Sequence, residues 1–261
     1  MTYETILYDV SDGVGHITLN RPAKLNAFND QMIAETADAF KSAGREAAVR
    51  CVVITGMGRG FSSGQDLADF QERGENVSIG EHLRHGYHRL IRQMLALEKP
   101  IIGSINGIAA GAGCGVALAA DIRIAADTAA FMLAFSRLGL IPDSGLNWLL
   151  PRLIGYARAY EMAITADRVP ANQALEWGMV NRVVPADQLP EITAAWARRL
   201  ADGPTLAYGL TKRAMLRGWE MTPDEALGYE AHLQEVAGRS VDNREGIAAF
   251  LEKREARFTG R

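Results

Sequence analysis

A single carboxylate stands in the stretch RLGLIPDSGLNWLLPR, residues 137–152, where Asp143 is flanked by Leu138, Leu140 and Ile141 on one side and Leu146, Trp148 and Leu149 on the other. A carboxyl group in apolar surroundings is held toward its protonated form, so its anion is a stronger base, and general acid–base work is one reading of this residue. Pro-Asp-Ser-Gly is equally a good turn, with Pro142 presetting φ and Asp143 and Gly145 supplying turn chemistry. Local sequence alone favours the turn. A catalytic role needs partners elsewhere in the chain.

Two glycine-rich stretches could provide them. In INGIAAGAGCGVALAAD, residues 105–121, Gly111, Gly113 and Gly115 do not have the dinucleotide-fingerprint spacing, and no Lys-Ser/Thr follows as a phosphate loop requires. What remains is a helix start without bulky side chains, whose free N–H groups can approach a ligand oxygen closely. FSSGQDL, residues 61–67, offers the same possibility, since Ser62, Ser63 and Gly64 lead into a residue whose N–H could point outward. Two such donors on one oxygen make an oxyanion hole, contributing on the order of 3 kcal/mol per donor to a transition state. Taken alone, each loop is better explained as tight strand–helix packing.

Other chemical candidates are weaker. His82, His85 and His88 repeat at a spacing that drifts around a helix instead of stacking on one face, so a metal site is not expected there. His16 reads as a structural strand residue, and Lys212, Arg213 and Arg217 as a solvated helix face.

The elements that must position these groups are legible in outline. ETILYDVSDGVGHITLN reads as two alternating strands around a Ser-Asp-Gly turn. Asn29 can cap a helix carrying Met32, Ile33, Ala37 and Phe40 at helical spacing. RCVVIT (50–55) and IIGSI (101–105) are apolar strands, each followed by a glycine loop and a helix, the first helix running from about Ile79 to Leu97. This alternation predicts an α/β fold of similar layers. From Pro170 onward helix follows helix, one opening on the capping box Thr222-Pro223-Asp224-Glu225 and the last starting near Asp242 with Ile247, Ala248 and Leu251 on one face. The expected boundary divides an α/β core, residues 1–200, from a helical region, residues 201–261.

With 261 residues, 48% hydrophobic and 23% charged, and a net charge of -3, the composition is that of an ordinary soluble globular protein and argues against coating nucleic acid. Ile101 to Ala120 carries no charge over a membrane-spanning length, but its glycines, Ser104 and Asn106 make it a buried strand, turn and helix. Cys51 and Cys114 lack metal or disulfide spacing, and the N-terminal residues have no basic segment before an apolar run, so a cytoplasmic protein is expected, with no membrane partner.

Together, RPAKLNAF (21–28), GRGFSSGQDL (58–67), INGIAAGAGCGVALAADIRIA (105–125), FSRLGLIPDSG (135–145) and EGIAAFLEKR (245–254), in this order, resemble the enoyl-CoA hydratase/isomerase (crotonase) family across almost the whole chain. The likeness is strongest to the branch that isomerises aryl-epoxide CoA thioesters in phenylacetate breakdown. It implies a spiral core of repeated ββα units and a C-terminal helical region that builds homotrimers, often paired into hexamers. It implies an acyl-CoA thioester substrate, with coenzyme A as part of that substrate and no separate cofactor.

Carried over by position, the resemblance puts the oxyanion donors on the backbone N–H groups of Gln65 and Ala112. It places coenzyme A along Lys24, Leu25, Ala27 and Gly64, with Phe250 and Lys253 closing the nucleotide end. The two glutamates that hydratases of the family use fall on Gly115 and Phe135, neither of which transfers a proton, while the acid/base of the most similar isomerases falls on Asp143. Phe135, Leu138 and Leu140 are expected to line its surroundings. The expected activity is therefore opening of an aryl-epoxide acyl-CoA to an oxepin, or a double-bond shift in an alkenoyl-CoA. An enoyl-CoA hydratase-like family member, a dehalogenase using Asp143 as nucleophile and a non-catalytic CoA-thioester-binding subunit are the alternatives. Where relatives continue PDxGG with Thr, this chain has Gly145, Leu146 and Asn147, so a reshaped acyl pocket is expected, its form set by segments near Asp69 to His88 and Trp148.

Overall fold

The computed structural model describes residues 3–72 and 78–261. The chain opens with strands β1 (Ile6–Ser11) and β2 (Val14–Leu19), then helix α1 (Asp30–Arg45). Next come β3 (Cys51–Gly56), β4 (Gly60–Ser62), α2 (Leu67–Glu72), α3 (Ile79–His85) and α4 (Tyr87–Ala96). They are followed by β5 (Ile101–Ile105), β6 (Ile108–Ala110), α5 (Ala112–Leu118), β7 (Ile122–Ala126), β8 (Ala130–Met132), α6 (Leu146–Ile154) and α7 (Tyr156–Thr165). The remainder is β9 (Val169–Pro170), α8 (Ala171–Glu176), β10 (Arg182–Val184), α9 (Leu189–Ala201), α10 (Thr205–Gly218), α11 (Pro223–Gly238) and α12 (Val241–Glu252).

The hairpin β1–β2 turns through Asp12 and Gly13, both at positive φ, as a two-residue turn matched to strand twist requires. β2 then begins a run of parallel pairs, and six strands lie in the order β1-β2-β3-β5-β7-β10. β3 and β5 are buried on both faces, which is why their sequences are continuous apolar runs instead of alternating ones. A second sheet has the order β4-β6-β8-β9. Each of β3–β4, β5–β6 and β7–β8 thus sends a longer strand into one sheet and a short one into the other, with helix following, and the chain advances one strand along both sheets per unit. This is the spiral of ββα units.

That winding positions the glycine loops. β4 and β6 are neighbours in parallel register, Gly60 opposite Ile108 and Ser62 opposite Ala109, so the segments leaving their C-terminal ends emerge side by side. The helix starts are fixed locally: Asn29 accepts from the Met32 amide at 3.0 Å, and Thr222 and Glu225 form a complete capping box. Among the described residues, no helix is long and apolar enough to cross a membrane, and residues 101–120 fold as β5, β6 and α5 with the turn between them.

Three expectations need correction. The helix expected over 79–97 is broken at Gly86 into α3 and α4, and a Cβ there would lie 2.9 Å from the His82 carbonyl oxygen. Lys212 is not on a solvated face: its ammonium is buried, donating to the Met94 carbonyl at 2.8 Å and to Asp121 at 2.9 Å, while Arg213 pairs with Glu98 and Arg217 lies over Tyr229. On α12 the residues Ile247 and Leu251 are exposed; Ala249 is buried instead, because the helix rests on α11 and holds the terminal residues through Asp242, which accepts from the Thr259 and Gly260 amides.

The loop RPAKLNAF hangs on Asn26, which is fully buried, sits at positive φ, accepts from the Arg21 amide, and donates to the Met57 and Gly60 carbonyls at 2.9 and 2.8 Å. Asn26→Ala strands these buried groups and adds backbone strain, so urea denaturation is expected to show a loss of about 3 kcal/mol; a loss below about 0.5 kcal/mol contradicts this role.

Candidate active site

The two glycine loops meet. A Cβ built at Gly64 would lie 3.4 Å from the Ala112 nitrogen and 2.8 Å from the Ala110 carbonyl oxygen, so only glycine allows this approach; its φ of +96° also suits glycine. Gly111, at φ 50° and ψ −127°, turns the chain from β6 into α5.

Which amides stay available follows from who is already bonded. The Gly64 N–H donates to Ser62 Oγ at 3.2 Å, and the Asp66 N–H donates to the Phe28 carbonyl at 2.8 Å. Between them, Gln65 faces the other way. On the second loop the Gly111 N–H donates to the Met132 carbonyl, and Ala112, first residue of α5, has no preceding turn to bond. Among the described residues, neither the Gln65 nor the Ala112 amide donates to a protein oxygen. Two unpaired amides on touching loops are the raw material of an oxyanion hole.

Lys24, Leu25 and Ala27 border the same place. The Ser63 N–H donates to the Leu25 carbonyl at 2.9 Å and the Phe28 N–H to the Gly64 carbonyl at 2.7 Å, zipping residues 25–28 onto 63–66. Lys24 itself is more than half exposed, its ammonium 3.9 Å from Asp66, which also takes a 2.9 Å bond from Arg21. Burial acts to raise the Asp66 pKa, but the Arg21 hydrogen bond and the nearby cations prevail and hold its carboxyl below the ordinary value. Phe250 and Lys253 lie elsewhere. Phe250 is 82% exposed on α12, and among the described residues no hydrogen bond, ion pair or ring contact joins either residue to the loops.

Asp143 is tied to α5 through its neighbour. Ser144, fully buried at positive φ, donates from Oγ to Asp143 Oδ1 at 2.8 Å, and its backbone presses against Gly115: a Cβ built there would lie 2.6 Å from the Ser144 carbonyl oxygen. Gly115 follows Ala112 by three residues, so Asp143 and the Ala112 amide belong to adjoining turns of one assembly. Burial raises the Asp143 pKa above its ordinary value, and the Ser144 hydrogen bond partly opposes this. Asp143 is thus both in a turn and in a setting that strengthens it as a base.

The expected lining holds only in part. Phe135 is buried, its ring edge about a van der Waals contact from where a Gly111 Cβ would be. Leu138, Leu140 and Ile141 are exposed, at 53, 41 and 77%, because none of the described residues packs over the loop before α6. Beside the turn is a cavity of about 210 Å³ bounded by Leu133, Pro142, Leu150 and Tyr160, with Leu146, itself buried, also in its wall. Trp148 stacks edge-on against Trp219 with Arg152 over both rings. Within the 69–88 segment, residues 73–77 lie outside the described residues.

Sequence reasoning read Ser62 only as a small loop residue, and missed Asn26, Ser144 and the side-chain partners of Gln65. Gln65 Oε1 accepts from Tyr87 at 2.8 Å and lies 3.1 Å from His82 Nε2. The histidine spacing reads locally only as a failed metal pattern; contact with a residue 17 positions earlier leaves no local signal.

Comparison with known proteins agrees with this geometry. The family model described as enoyl-CoA hydratase/isomerase matches residues 9–261. The chain is 46% identical over 260 residues to the 1,2-epoxyphenylacetyl-CoA isomerase of Escherichia coli (strain K12), covering 99% of each. It is 44% identical over 261 residues to a Rhodobacter capsulatus protein named "Probable enoyl-CoA hydratase", covering 100% of each. The crystal structure of an enoyl-CoA hydratase from Bacillus anthracis superposes with a TM-score of 0.92 at 33% identity, covering 99% of this chain and 100% of that one. With touching glycine loops, a ββα spiral and these full-length likenesses, the chain belongs to the enoyl-CoA hydratase/isomerase family.

Proposed function

We propose that this enzyme is a CoA-thioester isomerase that moves a proton along an acyl chain without adding water. One observation carries the choice between isomerase and hydratase: Gly115, where hydratases of the family carry a glutamate, has the Ser144 carbonyl 2.6 Å from the site of any Cβ. The second hydratase position is the buried ring of Phe135. The Asp143–Ser144 turn therefore occupies the place of the missing acid, and Asp143 is the carboxylate left to act.

The thioester carbonyl oxygen sits between the Gln65 and Ala112 amides, with coenzyme A along Lys24, Leu25, Ala27 and Gly64. Removal of a proton beside the carbonyl places the electron pair on that oxygen as an enolate, which two preorganised donors stabilise far more than they stabilise the neutral carbonyl. Asp143 takes the proton at one carbon and returns it two carbons along the conjugated enolate, so one C–H bond breaks, one forms, and the composition is unchanged. An aryl-epoxide acyl-CoA and an alkenoyl-CoA both present such an acidic position; in the alkenoyl-CoA the shift is the whole reaction, whereas in the aryl epoxide the carbon–carbon bond shared by the epoxide and the six-membered ring also breaks, its electrons passing into the double bonds of the seven-membered oxepin, and the proton taken beside the carbonyl returns to a ring carbon. Likeness to the Escherichia coli isomerase favours the first. Phe250, exposed on α12 with Leu251, and Lys253, exposed at the C-terminal end of that helix, suit closure of a nucleotide end across a subunit boundary in a trimer or dimer of trimers.

Three outcomes test this. Incubated with crotonyl-CoA, phenylacetyl-CoA and aryl-epoxide thioesters in deuterated water, the enzyme is expected to place label at the α and γ carbons, and Asp143→Asn to reduce that exchange about a thousandfold. Binding without exchange by the wild type would identify a non-catalytic subunit, and full exchange by the variant would remove Asp143 from the mechanism. Because the base must be ionised, the rate rises with pH through the raised pKa of Asp143; Ser144→Ala deletes the bond favouring the anion and is expected to move that limb to higher pH. Gly64→Ala, forced off the Ala110 carbonyl, shifts one donor and is expected to lower kcat about a hundredfold with the fold retained by circular dichroism.

A further inference from the structure

The Gln65 side chain is held from two directions. Its nitrogen faces the Asp66 carbonyl at 3.4 Å, which fixes the orientation of the amide group and leaves Oε1 as an acceptor. Into that oxygen Tyr87 donates at 2.8 Å, with its ring edge-on to Phe28, the residue that pairs with Gln65 in a parallel bridge between the two loops. His82 Nε2 approaches the same oxygen at 3.1 Å, while Nδ1 of the same ring lies 3.3 Å from the carboxylate of Asp30 at the start of α1.

Both ring nitrogens therefore face oxygens that can only accept. A neutral imidazole has one N–H and satisfies one of them; an imidazolium satisfies both. The ring is buried at 8% exposure, edge-on to Phe70 of α2 and Tyr87 of α4, so water is a poor substitute for either bond. Among the described residues, the charged groups around it include Asp30 from α1, Asp69 next to Phe70 on α2, Arg89 from α4, which lines the same cleft, and, on its own helix, Glu81 with its partners Arg84 and His85. Asp66, beyond Gln65, is paired with Arg21.

We propose that protonated His82, bridging Asp30 and Gln65, is a positioning residue that holds the Gln65 backbone amide in its oxyanion-binding orientation, so that turnover requires this histidine in its charged form. The inference rests on the reading of Gln65 as an oxyanion donor. It gives the pH profile a second limb of opposite sign: loss of the His82 proton breaks one of the two bonds, loosens the Gln65 turn and lowers kcat, whereas ionisation of Asp143 raises it. Substrate binding, spread over the 24–27 loop, is affected little.

Exchange of deuterium into crotonyl-CoA, followed against pH, tests the chemical consequence. Wild type is expected to show an alkaline fall in kcat. Asp30→Asn, at a position 61% exposed, removes the carboxylate that favours the imidazolium and is expected to move that fall to lower pH. His82→Gln, a neutral donor in place of the imidazolium, is expected to abolish the limb and to hold kcat at every pH near the lower level that wild type reaches at its alkaline end. His82→Leu is expected to lower kcat about tenfold with KM within about twofold. The backbone amide resonance of Gln65, followed by NMR in the absence of substrate, is expected to titrate with the His82 ring in wild type and to be flat in His82→Gln. A profile without an alkaline limb, a limb that survives in His82→Gln, or a Gln65 amide indifferent to the His82 titration overturns the proposal. If Asp143→Asn keeps exchange while the Gln65 amide still follows His82, the isomerase mechanism fails and the clamp stands.

Discussion

A backbone carbonyl and a backbone nitrogen of one loop come within 2.8 and 3.4 Å of where a side chain of the other would begin, and the candidate site depends on that approach. Any residue but glycine at position 64 would push the two loops apart. The parallel pairing of β4 with β6 brings the loops to the same edge, Gly64 lets them touch, and the amides of Gly64, Asp66 and Gly111 are taken up by protein oxygens. The Gln65 and Ala112 donors are left without a protein acceptor among the described residues, the arrangement on which the proposed oxyanion site rests.

The same economy of space decides the carboxylate. At Gly115 the helix α5 has no side chain, and the Ser144 turn settles directly on its backbone. That contact carries Asp143 to the helix whose first amide is Ala112, and the burial accompanying it raises the pKa of the acid. The positive φ of Ser144 and Gly145 makes the tight turn that holds the carboxylate proposed as the base.

Around this centre the fold supplies stiffness. Asn26 binds RPAKLNAF to the β3–β4 connection, Arg21 and Asp66 join it to the segment carrying Gln65, and His82 with Tyr87 grips Gln65 from the far side. At the opposite end of the chain, Lys212 and Arg50 reach from or toward the last helices into the core, Arg50 through Thr205 and the Phe258 carbonyl. α12 keeps Phe250 and Leu251 in solvent, a large apolar exposure for a single chain.

Sequence by itself determined the local facts. Apolar runs marked β3 and β5 as doubly buried strands, Asn29 and Thr222 marked helix starts, and the ordered motifs marked the family. These are encoded within a few residues, since periodicity and capping act over one or two turns. Tertiary structure alone decided the rest: that the loops at residues 64 and 112 touch, that Ser144 fills the space at Gly115, that Lys212 is drawn onto Asp121, and that Leu138, Leu140 and Ile141 stay exposed among the described residues. Each depends on partners far along the chain or on their absence. Which amide stays unpaired, and which side chain meets another, is settled by strand pairing and close packing across the fold, and no window of sequence contains both members of such a pair.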